Sequence, residues 1–166
     1  MSGWFCMLGE PITLLERSQV HGYLSGLGID DSLPVEPVFE WDAAREVITN
    51  PAWDRRCWDA ERLETQRLYG RASEGRGKAE LLQSLSRTLE TGEAVHGAAA
   101  VAAARGRCSD AGLIAAAAGA VSEALHLAEL ASLARADDAH PFFLKQELFA
   151  AGRWPLGAVA GCYYVF

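Results

Sequence analysis

Two Glu-x-x-His units are the residues best spaced for chemistry in this chain: Glu93-Ala-Val-His96 and Glu123-Ala-Leu-His126. Three apart on a helix, a carboxylate and an imidazole share one face. Two such units on facing helices form part of the ligand set by which helical bundles hold a pair of iron or manganese ions. Counted from the turn near Gly106-Arg107, the units lie at similar heights on an antiparallel pair, and Glu61, Glu64 or Glu147 could add oxygens. A helical metal-binding protein or oxygenase using Glu93, His96, Glu123 and His126 is therefore one reading. Against it, Gly92 and Gly97 flank the first unit and weaken its helix. The competing account makes His126 a hydrogen-bonded or surface histidine, with Glu123 and Glu129 on a solvated edge.

Other chemical signals are fainter. His140-Pro141 after Asp137-Asp138 invites an acid-base reading. The simpler account is a helix start: acids favour the positive end, proline fits the first turn, and Asp137 or Asp138 caps it. The glycine-bearing run 70–77 follows no strand, so it reads as a loop and not a phosphate cradle. There is no Gly-x-Ser-x-Gly elbow, P-loop or dinucleotide fingerprint. Cys6, Cys57, Cys108 and Cys162 are scattered, with no Cys-x-x-Cys pair, which argues against a zinc knuckle or thioredoxin-type site. They read as small apolar residues in a reducing compartment. The chain is read as non-enzymatic, with no cofactor.

Charge narrows the partners. The 22 acidic and 15 basic residues give −7, with no basic cluster, which disfavours nucleic acid. An acidic surface suits a basic protein partner, because opposite fields speed encounter. The N-terminus has no basic region before its short apolar run and does not read as a signal peptide. The apolar run 112–133 has a membrane-like length, but Glu123, His126 and Glu129 lie inside it. Charges at mid-bilayer are costly, so a buried core helix and a cytoplasmic protein with no membrane are expected.

The positioning elements follow from punctuation and periodicity. Alanine dominates 95–134, broken only by residues 105–110. Alanine is the best helix former and keeps no neighbour at a distance, so two helices folded back at close range are expected. Gly106 would end the first, and Ser109 or Asp110 would cap the second. Helices are also expected over 13–24, 41–48 and 51–72, the last with Asn50 as cap and a seam of Trp53, Cys57, Leu63 and Leu68. Another opens near Lys78 with a stripe of Leu81, Leu82, Leu85 and Leu89 and bends or breaks near Gly92; a last one starts at Pro141 and ends at Gly152. Pro34 and Pro37 make 30–40 an extended loop. Around Ala160-Gly161, β-branched and aromatic residues signal a hairpin, whose apolar end would pack on the helices beside Trp4-Phe5. The expected fold is mainly α: one domain, 1–166, a bundle of about six helices with the 152–166 hairpin packed on it.

The acidic loop and the aromatics then suggest a contact surface. Trp41, Trp53 and Trp58 sit among acids and arginines, a favoured composition for interface anchors, although core packing is their other common use. The candidate contacts are Asp30, Asp31, Glu36, Glu40, Trp41, Asp42 and Asp59. In size, acidity, lack of catalytic motif and its compact ending, 152–157 through 163–166, the chain resembles the small immunity proteins by which bacteria neutralise a cognate toxin. The resemblance implies a non-enzymatic binder covering a basic toxin domain, and it carries no residue roles. A homo-oligomer burying the alanine face is a further possibility.

Overall fold

The computed structural model describes residues 3–74 and 77–166. Within them the chain is mainly α, with a small sheet near its C-terminal end. Seven α-helices run α1 Leu14–Gly26, α2 Trp41–Ile48, α3 Arg56–Ser73, α4 Lys78–Ser86, α5 Gly92–Arg105, α6 Ala111–Leu133 and α7 Pro141–Ala150. Of the bend or break expected near Gly92, the structure has the break: the run after Lys78 divides around a 3-10 turn, Arg87–Thr91, which brings the expected count of about six to seven. Gly75 and Arg76 of the predicted 70–77 loop, and the side chain of Leu89 in the predicted leucine stripe, lie outside the described residues.

The hairpin forms where expected. Strands β2 (Pro155–Val159) and β3 (Cys162–Val165) pair antiparallel around Ala160 and Gly161. Both turn residues hold positive φ, +50° and +82°, the twist that suits a two-residue hairpin. The hairpin is not alone. Strand β1 (Val35–Pro37), from the loop expected over 30–40, pairs parallel with β3 to give the order β1-β3-β2. The other edge of the sheet is covered by the turn after α2, where the Asp54 N–H donates to Ala158 C=O at 2.8 Å.

Helix starts are set by side chains. Thr13 and Glu16 form a reciprocal capping box at α1, and Asp110 Oδ1 accepts the Leu113 N–H at α6. Helix α3 begins later than its pattern suggested. Asn50 Oδ1 accepts from Ala52 and Asp54 Oδ1 from Arg56, so Pro51 sits in a turn and does not open the helix. The buried side of α3 is Cys57, Glu61, Leu68 and Ala72; Leu63, placed in the seam by sequence, is 60% exposed. His140, not Asp137 or Asp138, caps α7: its Nδ1 accepts the Phe142 N–H. Nδ1 therefore carries no proton, and Nε2 donates to Glu64 on α3 at 2.9 Å.

The alanine pair packs as its composition dictates. Val95, Ala99, Ala102 and Ala103 of α5 meet Leu113, Ala117, Ala118 and Val121 of α6 in one buried cluster. Helix α6 is, among the described residues, the one helix long and apolar enough to cross a membrane, with mean hydropathy 1.5. It also packs against α3 and α7, and its buried positions, from Leu113 to Ala131, serve the interior, although only 39% of its apolar stretch is buried. The α5–α6 turn ends in a left-handed residue, but that residue is Arg107 (φ +56°), not Gly106. Gly106 is needed for another reason: a Cβ there would lie 2.4 Å from Trp41 Cδ1.

A buried arginine ties both ends of the chain together. Arg153 is 1% exposed. Its Nε and Nη2 donate to the Glu16 carboxylate at 2.7 and 3.2 Å, and its remaining hydrogens go to the carbonyls of Met7, Glu10 and Pro11 at 2.6–2.7 Å. All five guanidinium N–H groups are satisfied, which a buried charge requires. Burial alone would raise the Glu16 pKa, but Arg153 and Thr13 outweigh it and hold the carboxyl below its ordinary range.

Candidate protein-binding surface

The segment 28–42 leaves α1 through Gly28 (φ +71°) and is pinned at intervals. Asp30 Oδ1 accepts the Ser32 N–H at 2.9 Å, and the Ser32 side chain, this backbone bond and nearby Arg56 together hold the Asp30 carboxyl below its usual range. Arg17 donates to the Val35 carbonyl on the free side of β1. Val35, Val38 and Trp41 then turn inward, three residues apart, while Glu36, Phe39, Glu40 and Asp42 face water. The result is a ridge of one aromatic and several carboxylates between two depressions. One, about 470 Å³, lies towards Phe5, Gly106 and Phe166; the other, about 550 Å³, lies towards Ala43, Glu46, Val47 and Tyr164.

The predicted contacts divide. Asp30, Asp31, Glu36, Glu40 and Asp42 are exposed on this segment, while Asp59 is half-buried on α3. Trp41 does not belong with them. It is 5% exposed, with its ring 5.3 Å from Phe166 in an edge-to-face contact and 6.1 Å from Trp154. Such aromatic pairs add about 0.5–1.5 kcal/mol each beyond burial, so the interior holds it. Trp53 is half-buried and donates its indole N–H to Leu156 C=O at 3.2 Å. Trp58 remains available, 43% exposed with the Arg55 guanidinium 5.2 Å from its ring.

Phe39 is the residue that sequence reasoning missed. It is 57% exposed, between the predicted contacts Glu36 and Glu40. A signal was present: Val38, Phe39 and Trp41 are three large apolar residues in four positions, and an extended segment cannot turn all of them inward.

The Glu-x-x-His units are not brought together. Glu93, His96 and Glu123 are exposed, and His126 is half-buried with its Nε2 2.9 Å from the Tyr69 hydroxyl. Among the described residues no three His, Cys, Asp or Glu side chains gather in a metal-holding arrangement. A buried polar cluster does exist elsewhere. The Tyr23 hydroxyl and Lys145 Nζ both donate to Glu61 Oε1, at 3.1 and 2.6 Å. Burial pushes the neighbouring Cys57 thiol up to about 11, so it stays protonated and unreactive at neutral pH. Burial likewise raises the Tyr23 and Tyr163 hydroxyls well above the ordinary tyrosine value, so the donor that Tyr23 offers to Glu61 is a neutral one.

Comparison with known proteins returned no matching family model, no matching curated protein and no matching solved structure.

Proposed function

We propose that this chain is a non-enzymatic protein-binding module, a bacterial immunity protein that covers a basic toxin domain with the 30–42 segment in the cytoplasm. The observation that supports this reading is Phe39: a ring left 57% in water, flanked by exposed Glu36, Glu40 and Asp42. Leaving a phenylalanine side chain in water forgoes about 1.5–3 kcal/mol of burial, which a partner's pocket can recover. Aromatic anchors at the centre of an interface carry much of the binding energy, and the surrounding carboxylates govern encounter rate and orientation.

The test is bacterial growth. A host expresses the product of the gene immediately upstream of this one, with and without the chain. The expected result is arrested growth that the wild-type chain restores and the double variant Phe39→Ala/Glu40→Lys does not. Association of the purified pair should slow steeply with added salt, because rim charges act mainly on encounter. A harmless upstream product, equal rescue by the double variant, or association indifferent to salt would count against the proposal.

A further inference from the structure

We propose that the cleft between the start of α2 and the end of α5 binds a small organic carboxylate, an oxyanion on an apolar body of about ring size. Its volume, about 470 Å³, lies in the range of small-molecule sites. Several kinds of donor meet there. Helix α2 starts without a side-chain cap, since Glu40 supplies none, and its first turn bonds from Ala44 N–H to Glu40 C=O at 3.0 Å. The N–H groups of Trp41, Asp42 and Ala43 therefore have no intrahelical acceptor, and the helix dipole there favours negative charge.

The Trp41 side chain is 95% out of solvent yet lines this cleft, and its indole N–H has no hydrogen-bond acceptor among the described residues. Gly106, also on the cleft wall, lets the backbone lie close beside that edge of the ring without a side chain over it: a Cβ at 106 would stand 2.6 Å from Nε1. Arg105 and Arg107 line the same cleft, exposed and without an ion pair among the described residues, in a chain of net charge −7. Arg107 occupies a left-handed position (φ +56°) that glycine would fill with less strain. The opposing charges are Glu40, exposed on the rim, and Asp42, held by Arg45 at 2.9 Å. Arg45 is shared with Asp110 at 3.5 Å, so the two unpaired guanidinium groups of Arg105 and Arg107 are the cations on the cleft wall that remain for an anion. Phe5, Leu8 and Phe39 supply the apolar wall for the ligand's body.

Planar guanidinium groups match a carboxylate in two-point contact. That carboxylate could come from a free acid or from the C-terminus of a peptide. The cleft shares Phe39, Glu40 and Asp42 with the proposed partner-binding surface, but Arg105 and Arg107 belong to the cleft alone, so a variant at Arg107 tests this proposal apart from that reading.

The experiment follows the assigned Trp41 indole N–H by NMR during titration with N-acetylphenylalanine, N-acetylphenylalaninamide, inorganic phosphate, and a pentapeptide ending in free or amidated phenylalanine. A saturable shift with the acid, with about tenfold weaker binding of the amide and of phosphate, is expected. The Arg107→Gly variant should keep or gain thermal stability while weakening the acid about tenfold, which separates lost contact from lost fold. Tighter binding of the free-ended peptide than of the acid would assign a chain terminus as the source; weaker binding would assign a free acid. Equal affinity for acid and amide, equal affinity for phosphate, no shift up to about 10 mM, or an unaffected Arg107→Gly variant would each overturn the proposal.

Discussion

The floor and the rim of the same cleft are built on opposite terms. On the floor and behind it, Trp41, Trp154 and Phe166 pack against one another, and Arg153 has every hydrogen bonded. On the rim, Phe39 has no covering partner and Arg105 and Arg107 have no ion pair among the described residues. The same kinds of side chain, aromatic and arginine, are used up below and left unused above. Where interactions are complete, substitution should cost stability. Where they are incomplete, it should cost binding.

The largest effect should come from removing the floor's charge. Arg153→Ala leaves Glu16 buried and opens three backbone carbonyls, and a loss of about 3–5 kcal/mol is expected in denaturant unfolding. A loss near zero would mean that the floor is not held by this pair. Next, Gly106→Ala drives a methyl group into Trp41, a rigid ring that cannot swing aside, and should cost about 1–3 kcal/mol with a changed near-ultraviolet tryptophan signal.

The acid limb of the stability curve isolates Glu16. Its folded pKa lies below its unfolded value, so its contribution is present above the ordinary carboxylate range. That contribution is lost as pH falls through the lowered folded value. Glu16→Gln should flatten this limb, and an unchanged slope would assign the acid sensitivity to other carboxylates. The smallest effect on stability should come from the rim. Phe39→Ala is expected to change unfolding by no more than about 0.5 kcal/mol while abolishing rescue in the growth assay. A large loss of stability at Phe39 would erase the distinction between the two regions.

Much of this contrast is hidden in the linear order of residues. Punctuation worked where it is local: Asp110 at the start of α6, the Ala160-Gly161 turn and the bounds of α2 are all set by neighbours within a few positions. It failed where a competing local bond intervened, as at Asn50 and Asp54 ahead of α3. Composition also misjudged which aromatic is exposed. It ranked Trp41 as a contact because tryptophan is common in interfaces, whereas packing against Phe166 made it core and left Phe39 outside.

Residue order alone fixed the helical class, the close α5–α6 pair and the terminal hairpin, because propensity, capping and two-residue turns act within reach of a single helical turn or strand. Folding in three dimensions decided the rest. The parallel pairing of Val35 with Tyr163, the bond from Arg153 to Glu16 and the burial of Trp41 beneath Gly106 join residues far apart in the chain. Their energies depend on distance in space and on desolvation, and neither quantity is written in the spacing of residues along the backbone.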